Sequence, residues 1–499
     1  MGMYLSKSKY CDGVTCPKIL WLKKNKPELF DASVMKQSVL ETGNKVGDLA
    51  MGLFGEYVEV TTIDDNGKLN VSKMIERTNE ELSKGTENIC EASFSYNGLY
   101  CAVDILKNHG NNNVEIYEVK SSKEVKDINI DDASYQNYVL TNLGYNVNKV
   151  HLVHINKKYV RHGEIDLNEL FVIEEVTEKV KAKYDEVCNN IAYFEQYLQQ
   201  TDEPEYPLSK NCIKPYYCGF FKHCSAHLAT PNVFDISGRV DDYKYDLANT
   251  TDGSFLQALS KLRLNPAQRL QVETEINDLP PTIVEREIKD FLDQLSYPIY
   301  FLDFETCQFA IPEYDNSSPY EQIVFQYSLH YIEKEGGELK HTEYLAYPGK
   351  DPRRELAEAL CRDIPTNVCV LAYNMEFEKG RIKTLAKLYP DLSDHLMNIH
   401  DNILDLMIPF SKKSYYTRAM QGSHSIKFVL PALFPDDPSL DYHNLEQIHK
   451  GDEASRAFIE MATMSKEEVE RCRKNLLKYC ELDTYAMVKI WEKLIEVEK

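Results

Sequence analysis

The sequence predicts an α/β protein: two mixed regions joined by a helical connector. Three observations lead there. Short apolar runs that end in polar or acidic residues, Tyr300–Leu302 before Asp303-Phe304-Glu305 and Val368–Tyr373 before Asn374, have the length of buried strands. Near the N-terminus, Gly98–Leu106 and Val114–Lys120 flank the turn-rich NHGNNN and read as a hairpin. Between and after these strands come helical periods: Asp131–Leu143, Val176–Leu198 and a long final helix from Ser465. At 499 residues the chain exceeds what one core serves. The expected division is 1–225, a connector over 226–290, and 291–499.

Composition is that of a globular protein, 43% hydrophobic and 27% charged, without low-complexity runs. No stretch approaches the roughly 18 unbroken apolar residues of a membrane helix, and MGMYLSKSKY lacks the apolar core of a signal peptide. The expectation is a cytoplasmic protein with no membrane association. Thirteen scattered cysteines, an odd number, argue against a disulfide framework. Lys and Arg total 57 against 79 acids, a net charge of −22, which excludes a histone-like coat for DNA. It leaves room for an enzyme whose carboxylates bind metal and whose basic groups line one groove.

Taken in order, the first element is a helix, or two helical pieces, over Lys36–Phe54. The hairpin follows, with Asp104 near the end of its first strand and Glu118-Val119-Lys120 closing its second. Glu118 and Lys120 share one face of that strand. Asp104 and Glu118 are placed to hold a cation, and Lys120 to position a water and stabilise charge on a phosphate. The next helix carries Gln136, then comes a strand over Val147–Ile155. The order D…(D/E)xK with a downstream Gln helix resembles the RecB-like PD-(D/E)xK nucleases. The resemblance implies a restriction-endonuclease-like fold, with Asp104 and Glu118 as metal ligands and Lys120 and Gln136 as catalytic partners. Two positions depart from that pattern: Leu140 stands where the family has a tyrosine, and Gly47-Asp48 stand where a histidine is frequent.

After Val176–Leu198 and the TDEPEYPLSK linker, Cys212, Cys218 and Cys224 recur at equal spacing in CIKPYYCGFFKHC. Cys11 and Cys16 precede Pro17 in YCDGVTCPKILWL. One N-terminal cysteine plus three near the domain's end is similar to the four-cysteine iron–sulfur cluster of one branch of RecB-like exonucleases. That implies a 4Fe–4S cluster on Cys16, Cys212, Cys218 and Cys224, with Cys11 close enough to replace Cys16. Zinc is the competing ion, because four thiolates suit either. Cys90, Cys101, Cys188, Cys307 and Cys480 read as core residues.

In the C-terminal region, Asp303 and Glu305 point one way from their strand and Phe304 the other. Adjacent carboxylates resist burial unless a hard cation, Mg²⁺ or Mn²⁺, offsets them. Asn374 is read as the cap of the following helix, with Glu378 one turn further on. The last helix carries Tyr479 and Asp483 one turn apart, with Leu476, Leu477, Cys480, Ala486, Met487 and Ile490 as its packing side. Asp303, Glu305, Glu378 and Asp483 together offer oxygens for two cations about 3.5–4 Å apart, the geometry of in-line phosphodiester attack. Tyr479 would orient or help deprotonate the water.

The order DxE, N-x-x-x-acid, Y-x-x-x-D resembles the DnaQ-like DEDD exonucleases of the tyrosine subtype over residues 297–495. It implies a ribonuclease H-like fold and 3′-to-5′ action. Gly422–Phe434, GSHSIKFVLPALF, looks like a domain of unassigned function seen fused to RecB-like nucleases. The second motif normally ends in aspartate, and here it ends in Glu378; Asp405 in DNILDLMIPF is an alternative or supporting carboxylate.

The expectation is a metal-dependent exonuclease acting on single-stranded DNA ends, with two candidate sites. Lys123, Lys126, Lys157, Lys158 and Arg161 near the first, and Lys412, Lys413, Arg418 and Lys427 near the second, are candidate phosphate contacts. Tyr415 and Tyr416 are candidates for stacking on bases. Two other readings stay open: a non-catalytic nucleic-acid-binding or scaffold protein, and an RNA-directed exonuclease with one active site.

Overall fold

The structure, a computed structural model, describes residues 5–34, 37–214 and 216–498. The chain is mixed α/β and forms two compact units: Met1–His227 with Phe309–Tyr320, and Leu228–Gln308 with Glu321–Lys499. The connector expected over 226–290 therefore forms no unit of its own; from Leu228 onward it belongs to the second.

The first unit is built on seven strands: β1 (Leu5–Ser6), β2 (Val58–Glu59), β3 (Asn88–Tyr96), β4 (Leu99–Asn108), β5 (Asn113–Lys120), β6 (Asn146–Ile155) and β7 (Phe171–Glu175). Their order is β2-β3-β4-β5-β6-β7, with β1 alongside β4. The expected hairpin is β4–β5, and its turn places Gly110, Asn111 and Asn112 at φ +76°, +51° and +59°, a left-handed run that Gly and Asn tolerate best. The chain then crosses through the Asp127–Asn142 helix to β6, which runs parallel to β5. Ala133, Val139 and Leu140 of that helix pack with Ile116, Val150 and Leu152 on one apolar layer.

Parts of this unit refine or differ from the sequence reading, which allowed one helix or two helical pieces over 36–54. The helix over 36–54 is observed as Gln37–Ala50 followed by a 3₁₀ turn at Met51–Phe54, and Lys36 lies outside the described residues. Strands β3 and β7 were not expected, since neither alternates cleanly. The single helix over 176–198 is two, Thr177–Ala182 and Tyr184–Tyr197. Lys183 between them turns its ammonium to Asp131 (2.7 Å) and Glu186 (2.9 Å).

The second unit centres on β9 (Ile299–Cys307) after a short β8 (Thr282–Ile283). With β10 (Ile323–Ile332), β11 (Lys340–Leu345), β12 (Cys369–Ala372) and β13 (Ile403–Asp405) it forms a sheet of order β11-β10-β9-β12-β13. The first three are antiparallel; β12 and β13 run parallel to β9. Side chains leave β9 alternately. Phe301 joins Leu371, Met487, Trp491 and Leu494 beneath the Lys466–Glu498 helix. Leu302 and Phe304 join Leu356, Leu360, Ile382 and Leu385 on the opposite face. The two acids of the strand thus sit on the face covered by the C-terminal helix.

The GSHS stretch is a fixing point of this unit. Gly422 has φ +77°, and a Cβ there would meet the Gln271 side chain at 2.3 Å. Gln271 in turn donates to the carbonyls of Asp235 and Gln421, and the Gly422 carbonyl accepts from Lys413 Nζ at 2.7 Å. Lys413, Tyr415 and Tyr416 are buried, the last two as β14 (Tyr415–Tyr416) paired with β8. The expectation that they meet nucleic acid is corrected: their cation and rings close the interior. Arg418 is likewise engaged, with Glu275 (2.7 Å) and Asp278 (3.0 Å).

Candidate active sites

In the first unit the pairing of β4 with β5 stops at Ile105 opposite Tyr117. Beyond it Asp104 Oδ2 accepts the Val119 amide at 2.7 Å, so Asp104 faces the Glu118–Lys120 end of the neighbouring strand. Glu118 is buried, 1% exposed, and all the predicted residues converge on it. Lys120 Nζ donates to Glu118 Oε1 (2.7 Å) and Asp132 Oδ2 (2.6 Å). Gln136 Nε2 donates to Glu118 Oε2 (2.7 Å) and Asp132 Oδ1 (3.3 Å). Burial, then the charges of Asp104 and Asp132, push the Glu118 carboxyl up to about 8, while Lys120 and Lys7 oppose the shift.

Three members were not expected. Asp132 lies one helical turn before Gln136, a spacing present in DDASYQN that could have found it. Glu91, opposite Asp104 on β3 at φ +57°, is pushed up to about 7 by burial and by Asp104. Lys7 left no local signal: its Nζ donates to both Glu118 oxygens (2.8 and 3.0 Å) and lies 3.5 Å from Asp104 Oδ1. An ammonium therefore stands between the two carboxylates expected to share a cation. Arg161 is tied to the carbonyls of Gly163, Pro312 and Glu313, whereas Lys157 and Lys158 are exposed.

The cysteines separate into groups. Cys16, Cys218 and Cys224 pack around Ile19, Trp21, Leu22, Tyr197 and Phe220. Burial raises the Cys16 thiol to about 12 against the Lys18 and Ile19 amides, with a smaller push from Cys212 and Cys218. Amides point at these sulfurs: Lys18 and Ile19 at Cys16, Ser209 at Cys212, Phe220 and Phe221 at Cys218. Asn211 Nδ2 to the Thr15 carbonyl (2.8 Å) and Glu203 to Lys18, Lys26 and His223 tie the two stretches together. Cys11 instead lies by Asp132, Lys120 and Lys7, so Cys16 is the N-terminal member of the group. Of the expected core cysteines, Cys90, Cys101, Cys307 and Cys480 are buried and Cys188 is exposed, because it lies on the outer side of its helix.

In the second unit, Asp303, Glu305 and Asp483 each bring a carboxylate oxygen within 4.8 Å of the others. β9 supplies two at the i, i+2 spacing, and the C-terminal helix lays the third over them. Burial first, then Asp483, Glu305 and Glu378, raise the Asp303 carboxyl well above its usual range. Glu305 is raised the same way, and Asp483 reaches about 6. Lys427 is the cation that offsets both Glu305 and Asp483.

Glu378 stands outside the 4.8 Å triad but within its field. It is 2% exposed, its Oε2 has no hydrogen-bond partner among the described residues, and burial with Asp405 nearby pushes it up to about 8. Asp405 accepts the amides of Asn374 and Met407, both at 2.9 Å, and so is a supporting group. Asn374 does not cap the Glu376–Leu388 helix with its side chain; it takes φ +71°, and Met375 holds the cap position.

Tyr479 is buried, hydrogen-bonds Asp483, and has its phenol held far above the ordinary value by burial and by Asp483, Glu305 and Asp303. It keeps its proton, which suits orienting a water rather than deprotonating one. Tyr442 was missed: its hydroxyl donates to Asp483 Oδ1 at 2.6 Å, from a turn with no recognisable pattern.

Residues 300–425 match the domain of unknown function DUF2779. That stretch contains Asp303, Glu305, Glu378 and Asp405, and stops before Tyr442, Tyr479 and Asp483. The chain is also similar to three uncharacterized proteins: MG366 of Mycoplasma genitalium, 27% identical over 42% of this chain and 33% of that one; the MG366 homolog of Mycoplasma pneumoniae, 26% over 52% and 43%; and UU173 of Ureaplasma parvum, 26% over 42% and 32%. The chain thus spans between a third and somewhat over two fifths of the length of these curated relatives. No solved structure matches it.

Proposed function

We propose that the protein is a metal-dependent nuclease whose carboxylate centre on β9 and the C-terminal helix hydrolyses phosphodiester bonds at single-stranded DNA ends. The observation that carries this reading is the convergence of Asp303, Glu305 and Asp483 beside a buried oxygen of Glu378 that has no hydrogen-bond partner among the described residues. Four acids offset by Lys427 and, at Glu378, by Arg381 among the described residues are costly unless metal cations join them. The all-oxygen donor set suits Mg²⁺ or Mn²⁺, and Asp303, Glu305, Glu378 and Asp483 would hold the ions. When bound, such ions neutralise charge at the phosphate and activate a water for in-line attack. The chain's own part is positional. Tyr442 fixes the Asp483 carboxylate, Tyr479 offers a protonated hydroxyl beside it, and exposed Lys427 faces the incoming phosphate. A central β9 flanked by two antiparallel and two parallel strands accords with the ribonuclease H-like reading, and the first unit's crossover sheet with the restriction-endonuclease-like one.

For the first unit, Lys7 between Asp104 and Glu118 favours a site that grips nucleic acid over one that cuts it. Mn²⁺ with labelled single-stranded DNA and RNA tests the whole reading: the expected product is a ladder shortened from the 3′ end, and no cutting of either substrate would leave the scaffold reading. Lys120→Ala separates the sites. Cutting within twofold of wild type is expected; a loss of about 10²-fold or more would give the first site a catalytic share.

The thiol group is proposed to hold a 4Fe–4S cluster. A single zinc with thiolates at about 2.3 Å would draw its sulfurs to roughly 4 Å apart, and no three of these sulfurs lie within 4.8 Å of one another among the described residues. Protein purified without oxygen is expected to be brown, with about four iron atoms per chain, and Cys212→Ala to lose them; stoichiometric zinc would overturn this.

A further inference from the structure

A second set of metal-ligating side chains lies on the same sheet face, further out from Asp303. Across β9, β10 and β11, Asp303 stands opposite Ser328 and Ser328 opposite Glu343; in the adjacent row Phe301, His330 and His341 are opposite one another. Residues so paired share a face, so this row also lies beneath the C-terminal helix. The helix meets it with Thr484, whose Oγ1 is 2.8 Å from His330 Nδ1 and 2.7 Å from Ser328 Oγ. Ser328 Oγ is in turn 2.9 Å from His341 Nε2. One ligand atom each from His330, His341 and Glu481 lie within 4.8 Å of one another.

We propose that His330, His341 and Glu481 bind a single transition-metal dication of the zinc and manganese class, separately from the Asp303 centre. The donor set decides the class: two imidazoles and a carboxylate suit Zn²⁺, Mn²⁺ or Fe²⁺, whereas Mg²⁺ prefers oxygens alone. The Ser328–Thr484 hydroxyl pair holds one nitrogen of each ring, the kind of outer-shell support that orients imidazole ligands. Each ring keeps a second nitrogen for a cation. Glu343 adds an independent sign: its Oε2 is buried with no hydrogen-bond partner among the described residues, 4.0 Å from His341 Nε2. An ion here would fasten the helix that carries Tyr479 and Asp483 to the outer strands of the sheet.

The test uses the full chain carrying Asp303→Asn and Asp483→Asn, stripped of metal, loaded with Mn²⁺ and read by pulsed electron paramagnetic resonance. Imidazole nitrogen modulates the Mn²⁺ echo, and carboxylate or thiolate does not. Modulation is expected, displaced by Zn²⁺, lost in His341→Ala, and needing about tenfold or more Mn²⁺ in Glu481→Gln. Glu481 is exposed and the His341 side chain 24% exposed, so both variants should fold. No nitrogen modulation, or modulation untouched by His341→Ala, would overturn the site.

Discussion

Asp303→Asn is expected to lower Mn²⁺-dependent cutting of single-stranded DNA by about 10³-fold or more while the chain stays folded. Asparagine keeps the shape of the side chain at the middle of β9 and removes only its charge. That charge sits among Glu305, Asp483 and the Cys480 sulfur, 3.8 Å away, where burial already disfavours it. A carboxylate there comes at a cost to folding, which the proposed function accounts for by a cation held where phosphate charge would develop. Asp483→Asn should match it. Glu378→Gln should cost less, about 10–100-fold, because Glu378 lies outside the triad and would hold an ion at its edge. Cutting by Asp303→Asn equal to wild type, across Mg²⁺ and Mn²⁺, would remove this centre from the chemistry.

How much of this could be read beforehand depends on how far apart in sequence the partners are. Asp303 and Glu305 were legible because a strand fixes which i, i+2 residues share a face, and Tyr479 with Asp483 because a helix does the same at i, i+4. Glu118, Lys120 and Gln136 followed from the same periodicities. Lys7, the first residue of the Lys7–Thr15 helix, and Tyr442, in a short 3₁₀ turn, were not legible: neither meets its carboxylate at a fixed spacing within its own element. Lys413, Tyr415 and Tyr416 misled for the opposite reason. A basic, aromatic run looks like a nucleic-acid surface, yet Gly422 and the β8–β14 pairing turn it inward, and only tertiary packing decides that. The break at Lys183 belongs here too: one residue, paired with Asp131, interrupts a pattern that reads as a single helix.

The same acids make stability depend on pH and on cations in a direction that can be stated. Asp303 and Glu305 lie well above the ordinary carboxylate value near 4, Asp483 at about 6 and Glu378 at about 8. Folded pKa values above the unfolded ones mean that the native state binds more protons. Their contribution to stability is therefore fullest below about pH 4 and is lost as pH rises through the folded values. As pH rises through the folded values the ion-free centre gains repelling charges that Mg²⁺ can relieve in place of protons. At 100 times its dissociation constant a ligand adds about 2.7 kcal/mol, which for a unit of this size moves the melting temperature by roughly 5–10 °C. Calorimetry of the full chain should show that rise at pH 8 and little of it at pH 5, where protons hold the site. Asp303→Asn with Asp483→Asn should melt above the ion-free wild type at pH 8 and respond little to Mg²⁺; an undiminished rise in that variant would place the bound ion elsewhere.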